Sequence, residues 1–227
     1  QTQTTLADGS VIERDFDPVG NVIQETNARG FATTWTYDGL NRRTSQVDDT
    51  SVGTSQAWTY DPAGNVLTHT DRRGIATRTS YDGENRPLEV RRAGLIQIQN
   101  RYDAAGRLIR ETDANGNDTE NTYDRAGRRT ESTRAGLATT RWSYNPVGDV
   151  LTIIDPDGLI TTQEWDVRQR MLSQTNAADE TTSYQYDLAG NQTRKTRPSG
   201  DDWESAYDQA NRLIQVTDPL GNQTTYA

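Results

Sequence analysis

An aromatic residue followed by Asp or Asn returns along the chain in nearly fixed phase. The pairs begin at Phe16, Tyr37, Tyr60, Tyr81, Tyr102, Tyr123, Tyr144, Trp165, Tyr186 and Tyr207. Neighbours are 21 residues apart except Tyr37 and Tyr60, which are 23 apart. A period of this length marks a repeat architecture, in which each unit packs only on its neighbours. About ten units leave little of the chain outside the pattern, so residues 1–227 read as a single array.

The clearest unit, Tyr102 to Thr122, reads YDAAGRLIRETDANGNDTENT. Four residues after each aromatic stands Gly or Asn (Gly20, Asn41, Gly64, Asn85, Gly106, Gly127, Gly148, Gly190, Asn211), with Gln169 the exception. Gly and Asn adopt positive φ most readily. Aromatic-Asp-x-x-Gly therefore predicts a tight turn whose Asp carboxylate accepts backbone N–H groups ahead of it. A second motif, Thr-Asp/Asn-x-x-Gly, follows ten residues later at Thr26–Gly30, Thr70–Gly74, Thr112–Gly116 and Thr217–Gly221. Ile154–Gly158 and Thr196–Gly200 are looser copies, and Asp8-Gly9 stands in the same phase ahead of Phe16. Two turns per unit leave two strands of about six residues, so each unit is a β-hairpin.

The seventh residue after each aromatic is apolar or Thr: Ile23, Thr44, Leu67, Leu88, Ile109, Thr130, Leu151, Leu172, Thr193 and Ile214. A β-former at one fixed site predicts the face that packs. The second strand alternates, as in Thr33, Trp35 and Tyr37, in Thr140, Trp142 and Tyr144, and in Thr182, Tyr184 and Tyr186. Period two puts these on one face and predicts ladders between neighbouring hairpins. Asp48-Asp49-Thr50-Ser51-Val52-Gly53 lengthens one second turn by two residues. Arg92-Ala93-Gly94-Leu95 and Arg134-Ala135-Gly136-Leu137 bring Gly one place early without changing the step. The displaced residue predicts β-bulges near Leu95 and Leu137.

Only 31% of residues are hydrophobic and mean hydropathy is −0.94. A thick dry core is out of reach. Ten Tyr and five Trp nevertheless favour pleated strands over disorder. The net charge of −9 disfavours a nucleic-acid groove and an anionic membrane surface. With no cysteine, disulfides and Cys-based metal sites are excluded. No run is long and apolar enough to cross a bilayer as a helix. Lys195 is the only lysine, and the remaining basic residues are Arg, a bias that suits an ordered network with carboxylates and carbonyls. Residues 1–5 lack the basic and apolar regions of a secretion signal. The chain starts and stops inside the pattern, as a piece of a larger protein would.

The YDxxGRL-x-TDxxG unit resembles the YD (Rhs) repeat of bacterial Rhs and wall-associated toxins, toxin-complex shell subunits and animal teneurins. The resemblance covers essentially the whole chain. It implies a long β-ribbon that spirals into a hollow shell, enclosing a toxic C-terminal domain in the toxins and forming an adhesive ectodomain in teneurins. Rhs cores typically end near a DPxGL string linked to self-cleavage. Asp155-Pro156-Asp157-Gly158-Leu159 resembles it but falls in register as a second turn, with three further repeats behind it. Asp218-Pro219-Leu220-Gly221 is the same case, and both are expected to be turns.

No catalytic, cofactor or metal residues are assigned. Ca²⁺ needs six to eight converging oxygens, whereas the Asp residues are spread one per turn. Asp48 and Asp49 are the weak remaining candidates. His69, the lone histidine, has no Cys or second His to complete a zinc or nucleophile arrangement. Trp35, Trp58, Trp142, Tyr184 and Tyr226 share one phase. Sheet packing is their ordinary reading, and Trp35, Trp58, Trp142 and Tyr184 are also candidate glycan contacts. Arg42, Arg86, Arg107, Arg128, Arg170 and Arg212 each lie four places beyond an Asp. This predicts a pair such as Asp103–Arg107 clamping the turn.

The expected fold is all-β: tandem hairpin repeats in one curved, spiralling antiparallel sheet. The leading function is a non-enzymatic shell segment of a secreted or surface-displayed bacterial Rhs-type toxin, its partners being other repeats and an encapsulated toxin domain. The alternative is an adhesive module that binds carbohydrate or a cell surface. Open sheet edges invite self-association. Neither nucleic-acid binding nor membrane insertion is expected.

Overall fold

The computed structural model describes residues 2–5, 9–49 and 54–226. Asp8 and most of the lengthened turn, residues 50–53, lie outside the described residues. The described residues form twenty-two β-strands and no helix. None forms a helix long and apolar enough to cross a membrane.

The chain divides into two compact units, Gln1–Asn117 and Asp118–Ala227. In the first, strands β1 (Thr2–Thr5) to β11 (Leu108–Asp113) form a meander in which each strand pairs antiparallel with the one before and the one after. In the second, β12 (Asp118–Tyr123) to β22 (Gln223–Thr225) do the same. The all-β hairpin architecture is the one the repeat predicts. Among the described residues no apolar side chain is buried. Alternation is still visible: in Ala32–Tyr37, Thr33, Trp35 and Tyr37 are half-buried while Thr34 and Thr36 are exposed.

Most hairpin repeats use the same turn at both margins. Asp103 N–H donates to Arg107 O and Gly106 N–H to Asp103 O, each at 3.0 Å. Asp103 Oδ1 accepts the N–H groups of Ala105 (2.9 Å) and Arg107 (3.0 Å). Asp113 repeats this with Asn115 and Asn117 at the other margin. The result is a type I turn closed by one left-handed residue. Gln169, the exception in sequence, is no exception in conformation: its φ is 62°. Asp155 and Asp218 build the same turn, each accepting two N–H groups ahead of it.

The seventh-position residues are not the packing face. Each is the extra residue of a β-bulge. Tyr102 pairs with Leu108 and Arg101 with Arg110, which leaves Ile109 unmatched. The same slip leaves out Ile23, Thr44, Leu67, Leu88, Thr130, Leu151, Leu172, Thr193 and Ile214. A bulge residue is displaced from the pleat, and Ile109 is 37% exposed. A β-branched or apolar residue suits this extended but unpaired position as well as it suits a core.

The two Arg-Ala-Gly-Leu segments differ from each other. After Gly94 the register slips between Ile96 and Ile98, so the extra residue is Gln97, two places beyond Leu95. Its side-chain amide donates to the carbonyls of Leu95 (3.3 Å) and Ile96 (3.2 Å). Near Leu137 no strand bulge forms. Arg134 pairs with Ala138 and the ladder continues evenly, so Leu137 is absorbed in a three-residue loop. Thr139, bonded to Thr133 across the strands at 3.0 Å, keeps the regular register.

Candidate functional site

The chemistry concentrates where one hairpin meets the next, at the aromatic-Asp margin. Within a turn, Asp Oδ1 holds the backbone and Oδ2 faces the residue four places on. Arg107 Nε donates to Asp103 Oδ2 at 2.7 Å, and Arg42, Arg86, Arg128, Arg170 and Arg212 bind Asp38, Asp82, Asp124, Asp166 and Asp208 in the same way. The second Asp oxygen is thus satisfied by a planar donor whose remaining N–H groups point onward.

Those groups reach the following repeat. Arg42 Nη1 donates to Asp61 O at 2.8 Å, Arg128 to Asn145 O at 2.7 Å and Arg170 to Asp187 O at 3.0 Å. Each guanidinium also lies over the next aromatic ring, 4.6 Å from the centroid for Arg42 on Tyr60 and 4.7 Å for Arg170 on Tyr186. Such cation–π contacts add attraction when the cation is partly desolvated.

The aromatic itself reaches backward. Tyr37 Oη–H donates to Val22 O at 2.9 Å, and Tyr60, Tyr81, Tyr102, Tyr144, Tyr186 and Tyr207 donate to the equivalent carbonyls. That carbonyl belongs to the residue next to the bulge, where the ladder is interrupted and a backbone acceptor needs a partner. Trp165 preserves the bond through Nε1–H, 2.7 Å from Val150 O. Trp165 thus keeps the donor that Tyr supplies at the other positions, while Phe16, the first of the series, has none. The sequence reading missed this role, although the Tyr-to-Trp exchange was its signal.

These contacts hold the turn carboxylates below the ordinary Asp range. For Asp38 and Asp103 the first cause is the Arg side-chain hydrogen bond, and for Asp82, Asp124 and Asp166 it is the backbone N–H of the Arg. Arg86 is correspondingly raised, chiefly by Asp82.

The RHS Repeat family profile matches residues 16–52, 53–94, 102–139, 144–181 and 165–202. The chain belongs to the Rhs repeat family. By sequence, no curated protein matches it. In fold it is similar to a crystal structure of TcdB2-TccC3-TEV, with a TM-score of 0.68, 19% identity and 95% of this chain covered. A crystal structure of TcdB2-TccC3 gives a TM-score of 0.58 with 15% identity and 95% coverage. A Photorhabdus luminescens Tc holotoxin pore containing a TccC3 variant gives 0.55 with 15% identity and 95% coverage. The Rhs chain spans 13%, 19% and 18% of those chains.

Among the described residues the other aromatics of this Rhs chain do not stack on one another. Trp35 pairs across the strands with Gln46, and Trp142 with Ile153, so successive rings are separated by an intervening strand. Cations fill the gap instead. Arg43 lies 5.8 Å from Trp35 and 5.9 Å from Trp58, Arg129 lies 4.5 Å from Trp142, and Lys195 lies 5.9 Å from Tyr184. His69 stacks on Trp58 at 5.1 Å. The expected ladder is therefore one of aromatics alternating with cations. Asp48 accepts bonds from Thr33 and Gln46 and pairs with Arg72 at 2.6 Å. Among the described residues no group of three acids or His converges as a metal site would require.

Proposed function

We propose that the chain is a segment of the wall of an Rhs-type shell, one uninterrupted array over residues 1–227, that encloses a polypeptide toxin domain. The observation that carries this reading is a sheet with no buried apolar side chain among the described residues and with strong contacts directed from each hairpin to the next. Such a sheet gains cohesion along its own plane and needs no second layer, which is what a thin wall requires. Paired strands close the backbone against proteases. The fold likeness to TcdB2-TccC3 structures supports the reading. On this reading the role is structural, not catalytic, and the protein works outside the producing cell or at its surface, beside further repeats. Its aromatic faces are covered by Arg, His and Lys side chains, which favours wall-building over glycan stacking.

The test is protease digestion of the full-length polypeptide. The reading expects a cargo fragment that resists digestion while the wall is folded and is cut once acid or denaturant opens it. A cargo cut equally fast inside the intact protein and when expressed alone contradicts it.

A further inference from the structure

We infer that adjacent hairpins are matched by a two-residue code at the aromatic-Asp margin. Its members are the fifth residue after one aromatic and the fourth residue after the next. This concerns the choice of neighbours, and it stands whether or not the wall encloses a cargo.

Nine such junctions run along the sequence. Asn is followed by Asn in Asn21/Asn41, Asn65/Asn85 and Asn191/Asn211. Arg is followed by Gly in Arg42/Gly64, Arg86/Gly106, Arg107/Gly127, Arg128/Gly148 and Arg170/Gly190. Asp149 is followed by Gln169. No junction mixes the kinds.

The geometry supplies the reason. At most of the junctions inside each compact unit a donor crosses from one turn to the next. An Asn splits its two amide protons: Asn65 Nδ2 donates to Asp61 Oδ2 at 2.8 Å and to Asn85 Oδ1 at 2.7 Å. Asn21 and Asn191 do the same toward Asn41 and Asn211. The receiving Asn must present a side-chain oxygen while its backbone is left-handed, with φ 61° at Asn41, 64° at Asn85 and 60° at Asn211. Asn tolerates that conformation better than most residues.

Arg42, Arg128 and Arg170 reach past the side-chain position to the next backbone carbonyl and, like Arg86, to the next ring, so the receiving residue need supply no side-chain acceptor. At Gly106 an added Cβ would stand 2.9 Å from Arg86 Nη1, whereas at Gly64, Gly148 and Gly190 it would meet nothing within 4 Å. Asp149 is the reversal: a carboxylate has no proton to send forward, and it accepts from Asn145 Nδ2 at 2.8 Å. There the later repeat supplies the donor, Gln169 Nε2 to Val147 O at 3.3 Å.

The test is reciprocal conversion of two junctions in the whole chain, read by the thermal midpoint and the far-ultraviolet spectrum. At the first, Arg86→Asn and Gly106→Asn are made singly and together. At the second, Asn65→Arg and Asn85→Gly are treated likewise. Each single change is expected to lower the midpoint by about 2–4 °C. Each double is expected to recover at least half of the summed loss, because it rebuilds a junction of the other kind. Should a single variant fail to fold, a folded double counts as recovery. Losses that simply add at both junctions, or doubles no better folded than their worse single, overturn the code.

Discussion

The two margins of each unit share one turn chemistry and differ in everything around it. At most turns of both kinds an Asp or Asn side chain accepts backbone N–H groups ahead of it and a left-handed residue closes the loop. At the aromatic-Asp margin a bulge follows, the Arg reaches the next turn, and the Tyr hydroxyl reaches the previous bulge. At the Thr-Asp margin the ladder runs evenly apart from the bulge at Gln97, as in Gln24–Thr34, Glu25–Thr33 and Thr26–Ala32. Every change of loop length falls there: the extension after Asp48, the two-residue turn at Ala93-Gly94 and the three-residue loop at 135–137. The aromatic-Asp turn keeps its length in all ten copies. Turn residues alone specify a reversal. Coupling between hairpins is what forbids a change of length.

That contrast can be broken most severely by deletion. Removing Ala105 would displace the Asp103–Arg107 pair from its neighbours, and a loss of cooperative unfolding is expected by thermal melting. Two glycines inserted after Asn115, at the other margin, disturb the Asp113 turn bonds but should cost less than the deletion of Ala105, the longer loop itself adding no more than about 0.6 kcal/mol of closure cost.

Acid acts on many turns at once. The folded carboxylates titrate below the unfolded value of about 3.9. Their stabilisation is therefore complete above that value and is lost as pH falls through the lower, folded values. The midpoint should not change on their account between about pH 5 and pH 8 and should fall below about pH 4.

Single side chains sharpen the comparison further. Asp166→Ala and Asp155→Ala both remove a turn acceptor, but only the first frees Arg170 from its bridge to Asp187 O and Tyr186. The midpoint should fall further for Asp166→Ala. In a double-mutant cycle, Asp103→Ala and Arg107→Ala should lose stability less than additively, and additive losses would show that the two do not act together. Tyr186→Phe removes one hydrogen bond to Met171 O and should cost about 1 kcal/mol, measured by denaturant unfolding.

Strands, turns and the Asp–Arg spacing were legible in the sequence because each depends on residues close together in the chain. The bulge at Ile109 and its equivalents was not. A fixed β-former reads the same whether it packs or is squeezed out, and only register against the partner strand separates the two. The cation partners of Trp35, Trp58 and Trp142 were hidden for the same reason, since they sit on a neighbouring strand. Leu137 and Gln97 show how a shared Arg-Ala-Gly-Leu string diverges: Gln97 can cap the carbonyls of a bulge, while the Thr133–Thr139 bond favours an even ladder.

Hydrogen–deuterium exchange resolved at single amides tests the central claim, that lateral cohesion resides at the aromatic-Asp margin. The N–H groups of Asp166 and Gln169 should exchange more slowly than those of Asp155 and Gly158, which sit in the same kind of turn at the opposite margin. Equal protection at the two turns, or slower exchange at Asp155 and Gly158, would contradict it.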